Sequence, residues 1–274
     1  MIRKKIPKAF VVALLSGALM SFIFIHPYQN KILLSDLILQ FSGARGNLQL
    51  GISLNELLLY SVKIMPCLVF EMYIGTYIYG DFCTASIYIF SRTTNRLRWY
   101  FKECFIVLIL AAIFQSVMVV FAVIITGLRY HLIVDKIGVL LVIIHIAIYW
   151  LWIFSMALLI NLISLIVGSE FAFIIVAGGQ CMLITLLSAL RLFEKSISSY
   201  SLAVRINPIS HLIVGWHSIA MDAVIGTNYP LHTQLSLSFT FVYLFVIALF
   251  ILLIGSIMVY KYDFLVTDAE FGGA

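Results

Sequence analysis

Six long apolar runs, separated by shorter polar segments, dominate the pattern of hydrophobic and polar positions along this chain. An α-helix rises about 1.5 Å per residue, so roughly 20 apolar residues cross the hydrocarbon core of a bilayer. Each run is near or above that length, and the pattern therefore predicts six transmembrane helices. The predicted spans are about 9–25, 58–79, 104–126, 139–167, 171–190 and 237–260.

The composition supports a membrane protein. Hydrophobic residues make up 63% of the 274 positions, and charged residues make up only 11%. A soluble domain has roughly a quarter of its residues charged, so this composition excludes that class. We expect one all-α integral membrane domain covering residues 1–274, with no room for a second folded module.

The basic residues predict the orientation of the spans. Four basic residues and no acid precede the first span, and Arg92, Arg96, Arg98 and Lys102 lie between the second and third spans. Basic segments tend to stay on the cytoplasmic side, and no cleavage site follows the first span. Both termini of this multi-pass protein are therefore predicted to be cytoplasmic. The net charge of +5 fits contact with anionic lipids and gives no reason to expect nucleic acid as a partner.

Two loops on the predicted outer side contain further helical patterns. Residues 33–41 could form a short interfacial helix. Asn207-Pro208 is a turn signal, and apolar residues after it recur at helical spacing. We expect an outer helix at about 208–224 that lies in the membrane surface or dips into it. In the second span, Pro66 is expected to kink the helix because it removes one backbone hydrogen bond.

Three ionisable residues fall inside the predicted spans. Lys63 is near the outer end of the second span, and we expect its long side chain to reach the interface. Glu71 lies deeper, where it could carry a transported proton, pair with a cation of a partner, be satisfied by polar neighbours, or lie in a water-filled vestibule. His145 in the fourth span is interpreted as a packing histidine.

Patterns for enzymatic or metal chemistry are missing from the sequence. It contains no HExxH, GxSxG or Walker A motif, so no hydrolase or ATPase activity is expected of this chain itself. His211 and His217 are separated by about 120° around a helix, so we expect them to diverge. Asp222 could approach His217, but two ligands do not make a metal site. The cysteines form no CxxC pair and indicate neither a disulfide framework nor a zinc site.

The segment from Gly80 to Glu103 is the longest polar interruption on the predicted cytoplasmic side. Residues 81–90 form an amphipathic stretch, and residues 91–95 are expected to turn. Trp99 and Tyr100 fit an aromatic belt where the third span enters the bilayer. Two interpretations remain open. The segment is either a solvated orienting loop, or a helix along the inner membrane surface that docks on a separate motor protein.

Several short motifs mark the ends of the predicted spans. The basic N-terminus leads directly into the first span, and Gly-Asp-Phe at Gly80 is followed by Ser-Arg-Thr-Thr-Asn-Arg at Ser91. Asn-Pro-Ile-Ser-His at Asn207 introduces the segment between spans five and six, and Tyr-Lys-Tyr-Asp at Tyr260 closes the last span. These features together resemble the permease subunits of ABC-2 type transporters, in particular small six-span permeases that work with a separate ATPase, and the resemblance covers nearly the whole chain.

The resemblance implies an ABC-2 type (type V exporter-like) fold in a bacterial plasma membrane. It implies that residues 81–90 are the coupling helix that docks on the ATPase, and that the region around Asn207 is an outer re-entrant segment. The implied coupling residues are Asp81, Phe82, Ser86, Ile87, Phe90, Arg92 and Arg96, and the implied outer residues are Asn207, Pro208, His211 and Trp216.

The resemblance also implies an assembly. Two permeases, identical or related, work with two ATPase subunits, which bind the ATP and Mg²⁺, so the chain itself would need no cofactor. The implied substrate is an antimicrobial peptide, a lipid or a drug. Two alternatives from other classes stay open: a membrane immunity or sensor protein without a motor, and an ion-coupled transporter that relies on Glu71.

Overall fold

The computed structural model describes residues 2–27, 30–42, 54–89, 96–189, 197–217 and 235–261. The elements follow in this order: α1 (Ile2–Phe24), β1 (Lys31–Leu33), α2 (Leu34–Ser42), α3 (Leu54–Ile74), α4 (Tyr77–Ile89), α5 (Arg96–Arg129), β2 (His131–Ile133), α6 (Lys136–Val167), α7 (Ser169–Ala189), α8 (Ile197–Ile206), two 3₁₀ helices (Pro208–Leu212 and Val214–Trp216) and α9 (Leu237–Lys261).

Six stretches in the described part are helical, long and apolar enough to cross a membrane. They are Pro7–Phe24, Leu58–Cys83, Arg96–Arg129, Lys136–Val167, Ser169–Leu187 and Leu237–Tyr260. The prediction of an all-α membrane protein with six spans is therefore confirmed. We call the side on which α1 begins the N-terminal side, and the side on which α1 ends the opposite side. Successive spans alternate in direction between these two sides.

The outer surface of the bundle is apolar, as contact with lipid requires. Large hydrophobic side chains such as Leu15, Phe105, Phe171 and Phe250 are each at least 60% exposed. In the four spans formed by α1, α5, α7 and α9, only 28–33% of the residues are buried. Such exposure would be costly in water, at about 25 cal/mol for each Å² of apolar surface, and costs nothing in a bilayer.

α6 is the central helix and packs against α2, α3, α5, α7 and α9. Half of the residues in its span are buried. Its first turn is capped by Asp135, whose carboxylate accepts from the backbone N–H of Gly138. Its last turn ends at Gly168, where φ is 85°. Glycine adopts that left-handed backbone without a steric penalty, and so α7 can begin at Ser169.

The second span is made of two helices, α3 and α4, which meet at Gly75 and Thr76. α3 runs through Pro66, so the break lies elsewhere than the predicted kink. A Cβ at position 75 would be 2.9 Å from the side chain of Ile160. The absence of a side chain on Gly75 therefore lets the end of α3 approach α6 closely, and the chain changes course there.

A compact layer covers the opposite side of the bundle. β1 and β2 pair in parallel, with Lys31 opposite His131, and α2 follows β1 directly. Helix α2 matches the short helix predicted at residues 33–41, but eight of its nine residues are buried and it packs against α6. It is an internal element rather than an interfacial one. Asp135 fastens this layer, since it also accepts from the backbone N–H of Ser35 at 3.0 Å.

The outer helix predicted at 208–224 is not formed in the described part of that range. Two short 3₁₀ helices occupy residues 208–216, and Ile213 between them has an extended backbone. The regular helix α8 precedes Asn207 instead. Nearly every side chain from Ile209 to His217 is buried, so the segment is enclosed on several sides. Apolar residues at helical spacing therefore do not indicate one apolar face of a regular helix here. Residues 218–224 lie outside the described part.

Candidate functional site

Helix α4 is held against the bundle by three contacts on the N-terminal side. The Tyr77 hydroxyl donates to Glu103 Oε2 on α5 at 2.7 Å. The backbone N–H of Tyr79 donates to Asn161 Oδ1 on α6 at 3.0 Å. The rings of Phe82 and Trp99 lie 5.8 Å apart. These contacts join the first half of α4 to both α5 and α6.

The position of Phe82 differs from the one expected of a docking residue. Its side chain is only 4% exposed, and it lines a small apolar recess together with Tyr100, Leu162 and Gly255. Its ring therefore contacts helices of its own chain and is not presented to a partner. An aromatic residue on one face of a helix can pack against another helix of the same chain or against a partner protein. The sequence pattern does not distinguish these two environments.

Of the other coupling residues implied by the resemblance, two have described side chains. Asp81 is half-buried next to Tyr77, and Arg96 opens α5 as a half-buried residue. Ser86 and Ile87 belong to α4, but their side chains are outside the described part. Phe90 and Arg92 also lie outside the described residues.

Lys63 is buried in the bundle, so the prediction that it reaches the interface is wrong. It is 6% exposed, its Nζ donates to the backbone carbonyl of Gln40, and it lies 5.1 Å from the centre of the Phe24 ring. Gln40 is in the last turn of α2, where carbonyl groups lack helical partners and the helix dipole attracts a cation. Lys63 therefore caps a helix that lies 23 residues earlier in the chain.

Glu71 is fully buried and belongs to a polar chain that crosses three helices. Gln180 Nε2 on α7 donates to Glu71 Oε2 at 2.5 Å, and Trp152 Nε1 on α6 donates to Gln180 Oε1 at 3.3 Å. The second carboxylate oxygen of Glu71 has no hydrogen-bond partner among the described residues. Sequence reasoning missed Gln180, although a lone amide in the middle of an apolar span was an available signal.

Other buried polar groups lie close to this chain. Tyr60, Lys63, Cys67 and Glu71 are all buried on α3 at spacings of three or four residues, which places them along one face. On α6, His145 is 3% exposed and its ring lies 4.4 Å from that of Tyr149. The buried position of His145 agrees with its interpretation as a packing histidine.

The outer residues predicted around Asn207 are held together by hydrogen bonds. Asn207 Oδ1 accepts from the backbone N–H of Ile209 at 2.9 Å and so caps the first 3₁₀ helix, which begins at Pro208. Asn207 Nδ2 donates to the carbonyl of Leu183 on α7 at 2.9 Å, and Trp216 is buried. This segment is therefore fastened to the end of the fifth span.

His211 and His217 converge, which corrects the prediction that they diverge. His211 Nδ1 and His217 Nε2 are each 2.8 Å from the hydroxyl oxygen of Thr240 on α9. The prediction assumed a regular α-helix, whereas the extended Ile213 between the two 3₁₀ helices changes the direction of the chain. Within the described residues, no group of three or more His, Cys, Asp or Glu side chains could hold a metal ion.

Comparison with known proteins gives no relative for this chain. No family model matches the sequence, and no curated protein or solved structure is similar to it.

Proposed function

We propose that this chain is the transmembrane permease subunit of an ATP-driven exporter, with ATP hydrolysis in a separate subunit. The observation that carries the proposal is helix α4. It is joined to α5 and α6 at Tyr77, Tyr79 and Phe82 and stays helical to Ile89, about 10 Å past Phe82 at 1.5 Å per residue. A continuous helix that is joined to the centre of the bundle is suited to transmit a force applied at its end.

The contacts of α4 define how such a force would act. A push on the end of α4 near Ile89 would be opposed by the anchors at Tyr77, Tyr79 and Phe82. Through them it would act on α5 and on the central helix α6. The break at Gly75 and Thr76 supplies a pivot, because α4 can rotate there without bending α3.

The source of the force would be a partner. The sequence has no Walker A motif, so the ATP and Mg²⁺ would be bound by ATPase subunits docked on α4, two copies to an assembly. The translocation path would lie between this chain and a second permease, identical or related. In this proposal α4 and both termini face the cytoplasm of a bacterial cell, and the substrate is an antimicrobial peptide, a lipid or a drug.

Substitutions at Gly80 test the proposal without touching a docking residue. A Cβ at this position would have nothing within 4 Å, so Gly80→Ala should preserve α4. Gly80→Pro removes the hydrogen bond from the Gly80 N–H to the Thr76 carbonyl, now 2.9 Å. It disrupts the start of α4 at a cost of roughly 3 kcal/mol.

The measurement is purification in mild detergent from the native membrane, followed by identification of co-purified ATPases and an ATPase assay. We expect wild type and Gly80→Ala to retain an ATPase with a Walker motif. Gly80→Pro should lose about tenfold in ATPase activity, as a loss of about 1.4 kcal/mol of coupling would produce. Full activity in Gly80→Pro would contradict the role of α4. Absence of any ATPase from the wild-type complex would favour the immunity or sensor alternative.

A second candidate function is ion-coupled transport through Glu71. A fully buried carboxylate oxygen of Glu71 has no hydrogen-bond partner among the described residues, and this favours ion coupling because such groups in membranes are costly and often functional. This candidate predicts that transport requires an ionisable group at position 71 and does not respond to inhibition of ATP hydrolysis.

A further inference from the structure

Two buried histidines meet at one hydroxyl group on the opposite side of the bundle. His211, His217 and Thr240 are each no more than 1% exposed. The contacts from Thr240 Oγ1 to His211 Nδ1 and to His217 Nε2 are both 2.8 Å. This cluster joins the two 3₁₀ helices to the first turns of α9, and neither candidate function above uses it.

The other nitrogen of each ring determines where the hydrogens are. His211 Nε2 is 2.9 Å from the carbonyl oxygen of Arg205. His217 Nδ1 is 3.2 Å and 3.3 Å from the carbonyl oxygens of Ile213 and Val214. A carbonyl oxygen only accepts hydrogen bonds, so both of these ring nitrogens must carry a hydrogen. A flip of either ring would place carbon atoms at these contacts, so the ring orientations are defined as well.

Counting hydrogens shows that the cluster lacks one. In a neutral imidazole that carries a hydrogen on one nitrogen, the other nitrogen is an acceptor. Two acceptor nitrogens, one from His211 and one from His217, therefore face the hydroxyl of Thr240. That hydroxyl has a single hydrogen and can donate to only one of them. At the remaining contact two lone pairs face each other at 2.8 Å.

We propose that His211, Thr240 and His217 form a binding site for a single proton taken up from solvent. When the site is occupied, His211 is an imidazolium whose Nδ1–H donates to Thr240, and Thr240 donates to His217 Nε2. Every nitrogen and oxygen of the cluster then has a hydrogen-bond partner. The proton also adds a second hydrogen bond between α9 and the segment from Pro208 to His217, so proton binding tightens this connection.

The surroundings assign the charge to His211. Its ring stacks on that of Tyr243 with 4.4 Å between centres and 24° between planes, and Phe239 lies 5.6 Å away. A cation over an aromatic face is stabilised by the ring quadrupole. Burial and, as a smaller effect, the charge of His211 lower the pKa of His217 to about 4, although the carbonyl contacts to Val214 and Ile213 act to raise it. A proton on His211 therefore opposes a second proton on His217.

Charged neighbours do not change the preference of the proton for His211 over His217. From α8, Arg205 contributes its carbonyl to His211, while its side chain is exposed. From α9, Tyr243 faces the His211 ring. Among the described residues no carboxylate contributes to the pKa of either histidine. Burial also lowers the pKa of His211 from its ordinary value near 6.5, so the site is empty at neutral pH and fills on acidification.

Nitrogen NMR of ¹⁵N-histidine-labelled protein in nanodiscs, between pH 7.5 and pH 4, tests the site. Single substitutions, His211→Asn and His217→Asn, assign the two rings, and the exposed His131 serves as a reference ring. We expect the pair to take up one proton, with the charge on His211 while His217 stays neutral. Two rings that titrate independently with equal midpoints would overturn the proposal, and so would a pair that takes up no proton before the protein unfolds.

Two variants of Thr240 provide the matched comparison. Thr240→Ser keeps the hydroxyl and should keep the uptake of one proton with an unchanged midpoint. Thr240→Val has nearly the same shape without the hydroxyl, and we expect it to weaken proton binding at His211 about tenfold, a shift of about one pH unit. A midpoint in Thr240→Val equal to that of wild type would refute the bridging role. If Thr240→Val does not fold, loss of proton uptake in the folded Thr240→Ser variant would refute it.

Discussion

Substitutions of Glu71 distinguish a carboxyl group that is needed for packing from one that is needed for ion transport. Its structural role is a single hydrogen bond from Gln180 at 2.5 Å. In Glu71→Gln the side chain keeps its size, and its amide oxygen can accept the same hydrogen bond. In Glu71→Ala the acceptor is removed and Gln180 Nε2 is left buried with no described partner.

The expected losses in the free energy of unfolding differ widely between Glu71→Gln and Glu71→Ala. Glu71→Gln preserves the hydrogen bond, so the free energy of unfolding should change by less than about 1 kcal/mol. Glu71→Ala leaves a buried donor unsatisfied, at about 1–3 kcal/mol, and also a cavity at a position that is 0% exposed. Together these effects should destabilise the protein by roughly 3–5 kcal/mol.

Thermal unfolding in detergent measures both variants, since 1 kcal/mol corresponds to a shift of about 2–4 °C in Tm for a chain of this order of size. We expect Glu71→Gln within about 4 °C of wild type and Glu71→Ala about 10 °C below it. The exchanged pair, Glu71→Gln with Gln180→Glu, serves as a control because it preserves a donor and an acceptor.

Two results would refute this reasoning. If Glu71→Gln is as unstable as Glu71→Ala, the carboxylate stabilises the fold through its charge, and the hydrogen bond alone does not explain its role. If Glu71→Gln is stable but transport is lost while inhibition of ATP hydrolysis has no effect, the ion-coupled function replaces the ATP-driven one.

Three further predictions address other parts of the bundle and use the same unfolding measurement. Phe82→Ala should cost about 3–5 kcal/mol and Phe82→Leu under about 1.5, whereas a surface role would make both neutral. Asp135→Ala should cost about 1–2 kcal/mol because it removes the cap of α6. Burial raises the pKa of the Asp135 carboxyl, but hydrogen bonds from the backbone N–H groups of Ser35 and Gly138 outweigh the effect of burial and lower the pKa. That contribution is present at neutral pH and is lost as the pH falls from about 4 through the lowered pKa, so an undiminished gap between Asp135→Ala and wild type below that pKa would contradict it. Gly255→Ala should cost about 1–3 kcal/mol, because its Cβ would lie 2.0 Å from the Tyr100 hydroxyl; Gly178→Ala, with nothing within 4 Å, should be neutral.

The helix around residues 81–90 shows how far sequence reasoning reached at the candidate site. The residues there favour a helix, and α4 is helical to Ile89. Phe82, which the resemblance implies as a coupling residue, is buried instead, because the burial of a helical side chain depends on what packs against the helix. That neighbour, Trp99, comes from a different helix, and its position follows from the packing of α5 on α4.

His211 and His217 show a different failure. Their spacing was interpreted with α-helical geometry, which separates the two rings. The backbone instead turns at Ile213, because the side chains around it are buried in several directions. Local spacing could not reveal that both rings point at Thr240, which lies 29 residues after His211.

The six spans follow from local properties of the chain. Apolar length and the need to pair every backbone polar group inside lipid leave a helix as the stable form of each run, so hydropathy is sufficient to find them. Which polar groups meet inside the bundle was decided by tertiary packing. Lys63 reaches Gln40 across 23 residues, and Glu71 reaches Gln180 across 109. No local pattern encodes such partners, because a buried polar side chain is satisfied by whichever group the packed helices bring within about 3 Å of it.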